Sequence, residues 1–99
     1  MLHIVNKSPT ERNALESCLR LARDGAAVLL IEDGVYAATR GGAAEKKLRE
    51  AMKRLKVYAL KGDLEARGVA GRVIDGIEMV DYGGFVDLVC DRPNCQSWL

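Results

Sequence analysis

Aromatic side chains are scarce in this 99-residue chain: one Trp, one Phe and three Tyr, 5% together. Histidine is scarcer still, with His3 alone. A His-rich metal site is therefore excluded. A hydrolytic triad has no support either, since His3 lies in an apolar run without an acidic neighbour. Neither charge is in excess: 15 Lys and Arg stand against 14 Asp and Glu, a net charge of +1. A general nucleic-acid binder needs a basic surplus, so direct nucleic-acid binding is not expected. No apolar run approaches the roughly 20 residues that span a bilayer, so no membrane role is expected. The N-terminus lacks the basic start and long apolar stretch of a secretory signal, which makes the cytoplasm the expected location. Cysteines number three. An odd count argues against a closed disulfide framework. Neither G-x-G-x-x-G nor a P-loop occurs, and no cofactor or metal is expected.

What is present is the balance of a globular domain, with 48% hydrophobic and 29% charged residues. Residues 1–99 are read as one domain. Apolar runs at Leu2–Val5, Ala26–Ile31, Leu55–Leu60 and Ile77–Val80 read as strands. Between them lie helical stretches. Ser8, Pro9 and Glu11 have the order of an N-cap, a first helical position and a capping-box acid, which predicts a helix ending near Asp24 with Gly25 as its left-handed stop. At about 100° per residue, Ala14, Leu15, Cys18, Leu19, Leu21 and Ala22 share one apolar arc. Further helical stretches are predicted at Val35–Thr39, at Ala43–Lys53, at Leu64–Arg67 under an Asp63 cap, and from Asp81 to about Cys90. Arg72–Ile74 reads as an extra extended piece, and Asn94–Leu99 as a tail. Strand–helix alternation at this spacing implies parallel strands with right-handed crossovers. The fold class is α/β, a three-layer sandwich with a four- to five-stranded, mostly parallel sheet.

Ligands of such sheets sit beyond the C-terminal strand ends. Three loops fall there: Asn6-Lys7-Ser8, Glu32-Asp33-Gly34 and Lys61-Gly62-Asp63. The first lacks the glycines of a phosphate cradle, and helix capping accounts for it better. The acidic pair Glu32 and Asp33 suits a turn as well as a metal. The cysteines are the only candidate nucleophiles. Cys18 sits mid-arc on an apolar helix face, where a thiol is deactivated, so burial and reactivity remain open alternatives. Cys90 and Cys95 are two ligands at most, too few for structural zinc. Trp98 docks either on its own domain or on a partner.

The segments Met1–Pro9, Leu29–Ala38, Val57–Leu60, Asp63–Gly68 and Val80–Leu88, and a tail ending near Gln96 and Trp98, together resemble the DsrH/TusB family of sulfur-relay subunits over essentially the whole chain. The resemblance implies a subunit of a heterohexamer with DsrE/TusD-like and DsrF/TusC-like partners. Such a complex passes persulfide sulfur to a DsrC/TusE-type carrier. The principal persulfide cysteine belongs to the DsrE/TusD-like partner. Cys18, within Asn13-Ala14-Leu15-Glu16-Ser17-Cys18, resembles the first-helix cysteine of DsrH proteins from sulfur oxidisers, which makes it a candidate auxiliary persulfide site. This favours the dissimilatory sulfur-oxidation branch. The alternatives are a TusB-type subunit in 2-thiolation of the tRNA wobble uridine, or a structural subunit carrying no sulfur. An obligate subunit should expose an apolar patch when alone, with Gly34–Ala38 and the Trp98 tail as candidates.

Overall fold

The computed structural model describes residues 1–10, 13–92 and 94–98. Five strands form one sheet: β1 (Leu2–Val5), β2 (Ala27–Leu30), β3 (Lys56–Leu60), β4 (Glu78–Val80) and β5 (Cys95–Trp98). Their order is β4-β3-β2-β1-β5, and every pairing is parallel. The helices are α1 (Ala14–Leu21), α2 (Glu45–Ala51), α3 (Lys61–Ala66) and α4 (Tyr82–Asp91), with 3₁₀ segments at Glu32–Ala38 and Ala70–Arg72.

The strand order decides the layers. From β1 to β4 each crossover steps in the same direction, so right-handed connections place α1, α2 and α3 on one face. The chain then reverses, from β4 across the sheet to β5, and α4 falls on the other face. Two cores result. The larger joins Val5, Val28, Leu30, Val57 and Ala59 to Leu15, Cys18, Leu19, Leu48 and Leu64. The smaller joins Leu2, Ala27, Leu29 and Val80, with Phe85 and Leu88 of α4 packed on it. Alternation along each strand shares the side chains between the two faces.

The α/β expectation holds, and several boundaries move. The helix predicted from Pro9 to Asp24 spans only Ala14–Leu21, with no side-chain cap at Asn13. Ser8 instead closes a local turn, its Oγ accepting from the Thr10 amide at 3.4 Å. Glu11, the expected capping-box acid, lies outside the described residues. The early C-terminal end has a tertiary cause. Arg54 donates to the carbonyls of Ala22 (2.6 Å) and Leu19, closing the helix after Leu21, well before Gly25. Gly25, at φ +86°, then turns the chain into β2. Leu21, at the margin of the predicted arc, is 63% exposed. α3 starts at Lys61, and Asp63 does not cap it. Asp81 does cap α4, accepting from the Gly84 amide at 2.8 Å. The predicted tail is strand β5, pairing with β1 at the sheet edge.

Candidate functional site

The three loops identified at the C-terminal strand ends meet in space. Gly34, after β2, lies against the end of β1. A Cβ there would collide with the Val5 carbonyl, 3.0 Å from its carbon and 3.3 Å from the Asn6 Cα. Only glycine lets the two loops approach so closely. Glu32, just before it, holds φ +49°, the one non-glycine residue with positive φ among those described. That backbone is costly for a residue with a Cβ and must be held from outside. The Asp63 carboxylate supplies the hold, accepting the Glu32 amide at 2.6 Å. Arg67, one turn further along, donates from Nε to Asp33 at 3.0 Å and lies 3.8 Å from Asp63. The loops after β2 and β3 are thereby pinned to each other by one guanidinium and two carboxylates.

Asp63 and Arg67 act here in ways the sequence did not suggest. The sequence predicts Asp63 as a helix cap, whereas its partner is 31 residues away. The signal for Arg67 was its spacing of four from Asp63, a helix-surface ion pair. Asn6 sits beside this cluster with a buried side-chain oxygen that has no hydrogen-bond partner among the described residues. Nothing in the arrangement is a nucleophile with a base. Among the described residues no three His, Cys, Asp or Glu side chains converge to hold a metal.

The thiols lie elsewhere. Cys18 is fully buried in the larger core, and burial pushes its thiol up to about 12. At neutral pH such a group is thiolate only on the order of one part in 100,000. Cys90, near the end of α4, and Cys95, in β5, are both exposed and free. His3 is buried, and its Nδ1 accepts the Trp98 indole N–H at 3.1 Å, so Trp98 docks on its own domain.

The exposed apolar surface differs from the expected one. Val35, Ala37 and Ala38 are buried, because the 3₁₀ segment packs into the larger core; Tyr36 alone points out. The unpartnered face belongs to α4. None of its residues is buried, and Tyr82 (73% exposed), Val86 and Val89 face solvent. One helix covers a five-stranded sheet on that side, leaving Ile4, Ile31, Tyr58 and Leu60 only partly buried. No helix among the described residues is long and apolar enough to cross a membrane.

A family model described as "DsrH like protein" matches residues 7–94. "Protein TusB" of Enterobacter sp. (strain 638) is 43% identical over 98 residues, covering 99% of this chain and all of that protein. "Protein TusB" of Escherichia coli (strain K12) is 42% identical over 100 residues with the same coverage. Among solved structures, the ychN protein from E. coli superimposes with a TM-score of 0.80 at 21% identity, over 97% of each chain, a likeness of fold. Matched by the family model over most of its length, and by these relatives over nearly all of it, the chain belongs to the DsrH/TusB family of sulfur-relay subunits.

Proposed function

We propose that this chain is the TusB-type subunit of a sulfur-relay complex, serving 2-thiolation of the tRNA wobble uridine. The observation that carries this reading is full-length identity of 42–43% to proteins named TusB. The Cys18 pattern in α1 points to the sulfur-oxidation branch instead. Similarity spread over 98 to 100 aligned residues outweighs one helix position.

In this reading the chemistry belongs to the partners. A carrier thiolate on a TusE-type protein attacks the outer sulfur of a persulfide on a TusD-like subunit. The sulfur–sulfur bond of the donor breaks, a new one forms on the carrier, and the donor cysteine leaves as thiolate. No oxidant is consumed. This chain contributes a rigid α/β surface, and its α4 face seats a TusC- or TusD-like subunit in the cytoplasm. The exposed Tyr82, Val86 and Val89 support that assignment, since a soluble monomer gains nothing from an apolar helix facing water. For Cys18 we place the weight on packing. An auxiliary persulfide there would need α1 to lift from the sheet before the thiol met a donor.

The test is replacement of the tusB gene in an enteric bacterium by this chain. Restored 2-thiouridine in tRNA supports the reading. Stable assembly with TusC and TusD but no thiouridine would overturn it in favour of the sulfur-oxidation branch. Mass spectrometry of the assembled complex after loading with a sulfane donor addresses Cys18. A shift of one sulfur on the peptide containing Cys18 would restore its auxiliary role.

A further inference from the structure

The His3–Trp98 contact joins two residues 95 positions apart, at the edge where the first strand meets the last. β5 has little else to hold its side chains. Cys95, Gln96 and Ser97 are exposed, and Trp98 alone packs onto the larger core. The strand therefore rests on its backbone ladder with β1 and on this one indole. The indole N–H is donor only, and it points at Nδ1 of His3. That geometry requires Nδ1 to be unprotonated, which places the hydrogen of the neutral ring on Nε2. Protonation would set two donors against each other in a buried position.

We infer that the His3–Trp98 pair is a proton-sensitive latch on β5: neutral imidazole holds the terminal strand against β1, and imidazolium releases it. The surroundings are consistent. The cleft beside the pair, about 620 Å³, is formed by β1, β5 and the turn between α1 and β2. The charged groups on it are the Met1 amino group from β1's start and Arg23 and Asp24 from the turn; β5 contributes the neutral Gln96 and Trp98. Among the described residues two cations face one carboxylate, and that carboxylate is also shared with Arg54 at 3.5 Å. Burial first, and then the amino terminus, lower the His3 pKa below its ordinary 6.5.

Linkage fixes the direction. The imidazole is a weaker base when docked than when free, so the open state takes up protons first as pH falls. The latch is complete above about pH 6.5 and weakens as pH drops from there to the docked pKa. Its opening equilibrium gains at most about tenfold for each unit of that depression.

The chain has one His and one Trp, so each reports without ambiguity. Nitrogen NMR of the full chain at pH 8 should show His3 protonated on Nε2, with a titration midpoint below 6.5. Between pH 8 and 5, Trp98 emission should change with that same midpoint. Hydrogen-exchange protection of the 95–98 amides, corrected for intrinsic rates, should start to fall near pH 6.5 and level off below that midpoint. Trp98→Phe, which removes the donor and keeps an aromatic ring, should raise the His3 midpoint. His3→Gln, which keeps an acceptor that cannot be protonated, should abolish the emission and protection changes. An Nδ1–H tautomer, or protection that stays flat to pH 5, would overturn the latch. So would the same transition persisting in His3→Gln. Should His3→Gln fail to fold, the tautomer and the Trp98→Phe shift decide the matter.

Discussion

Cys18 and Gly34 show how much a single buried position constrains. Cys18 has no exposed surface and burial holds its thiol up to about 12, which is the ground for the packing role proposed above. Cys18→Ser places a hydroxyl in the apolar core between α1 and the sheet. It should cost about 1–3 kcal/mol of stability, read from the urea midpoint, while sulfur loading of the assembled complex is unchanged. Gly34 is constrained by contact instead of dihedral angle. Gly34→Ala drives a methyl into the backbone of β1, which has no soft side chain to yield. We expect a loss of at least about 3 kcal/mol, with the melting transition shifted down accordingly. Neither effect is visible in the sequence. The burial of Cys18 and the close approach at Gly34 are both set by neighbours distant in the chain.

At the scale of elements, long-range polar contacts decide where segments begin and end. Arg54, from the turn before β3, holds the last carbonyls of α1, and the Gly25 amide returns a bond to the Arg54 carbonyl at 2.7 Å. Arg54→Ala should cost about 1.5–3 kcal/mol, the range for hydrogen bonds to a charged group, and should fray the last turn of α1 in hydrogen exchange. Arg54→Lys should recover only part of this, because a single ammonium cannot reproduce a fork on two carbonyls. The Asp63–Glu32 bond works in the same way at the other end of the sheet. Asp63→Ala should release the strained Glu32 turn and speed exchange of the Glu32 amide about tenfold or more, the equivalent of losing about 1.5 kcal/mol. Arg67→Ala should have a smaller effect, within about 1 kcal/mol, since its Asp33 partner is half exposed. The strand runs, the Asp81 cap and the Gly68 stop were legible locally, and each is observed. The end of α1 and the start of α3 were not, because the partners found there lie about 30 residues away.

For the molecule as a whole, the lopsided layering is the consequential feature. Three helices crowd one face of the sheet and a single apolar helix sits on the other. The isolated chain should be prone to self-association, since α4 offers an apolar surface with nothing over it. Val86→Asp introduces a charge at a position 42% exposed, where the fold does not need the valine. The variant should fold with an unaltered melting temperature, stay monomeric at higher concentration, and fail to co-purify with TusC- and TusD-like subunits. Undiminished co-purification on gel filtration would place the partner contact on another face.

The sequence by itself determined the α/β class, the first four strands in their order, and the family, because these rest on short-range signals: apolar runs, helical periodicity, turn residues and a full-length motif order. Tertiary structure alone decided which face α4 occupies and that the tail is a strand. β5 reads Cys-Gln-Ser-Trp, with none of the apolar alternation that marks a strand, and three of its four side chains are exposed. Its extended form comes from the ladder offered by β1 and from the docking of Trp98 on His3, and neither exists until the first strand is already in place. Pairings between the two ends of a chain leave no local trace in composition or period, so the edge strand became visible only once the fold had closed.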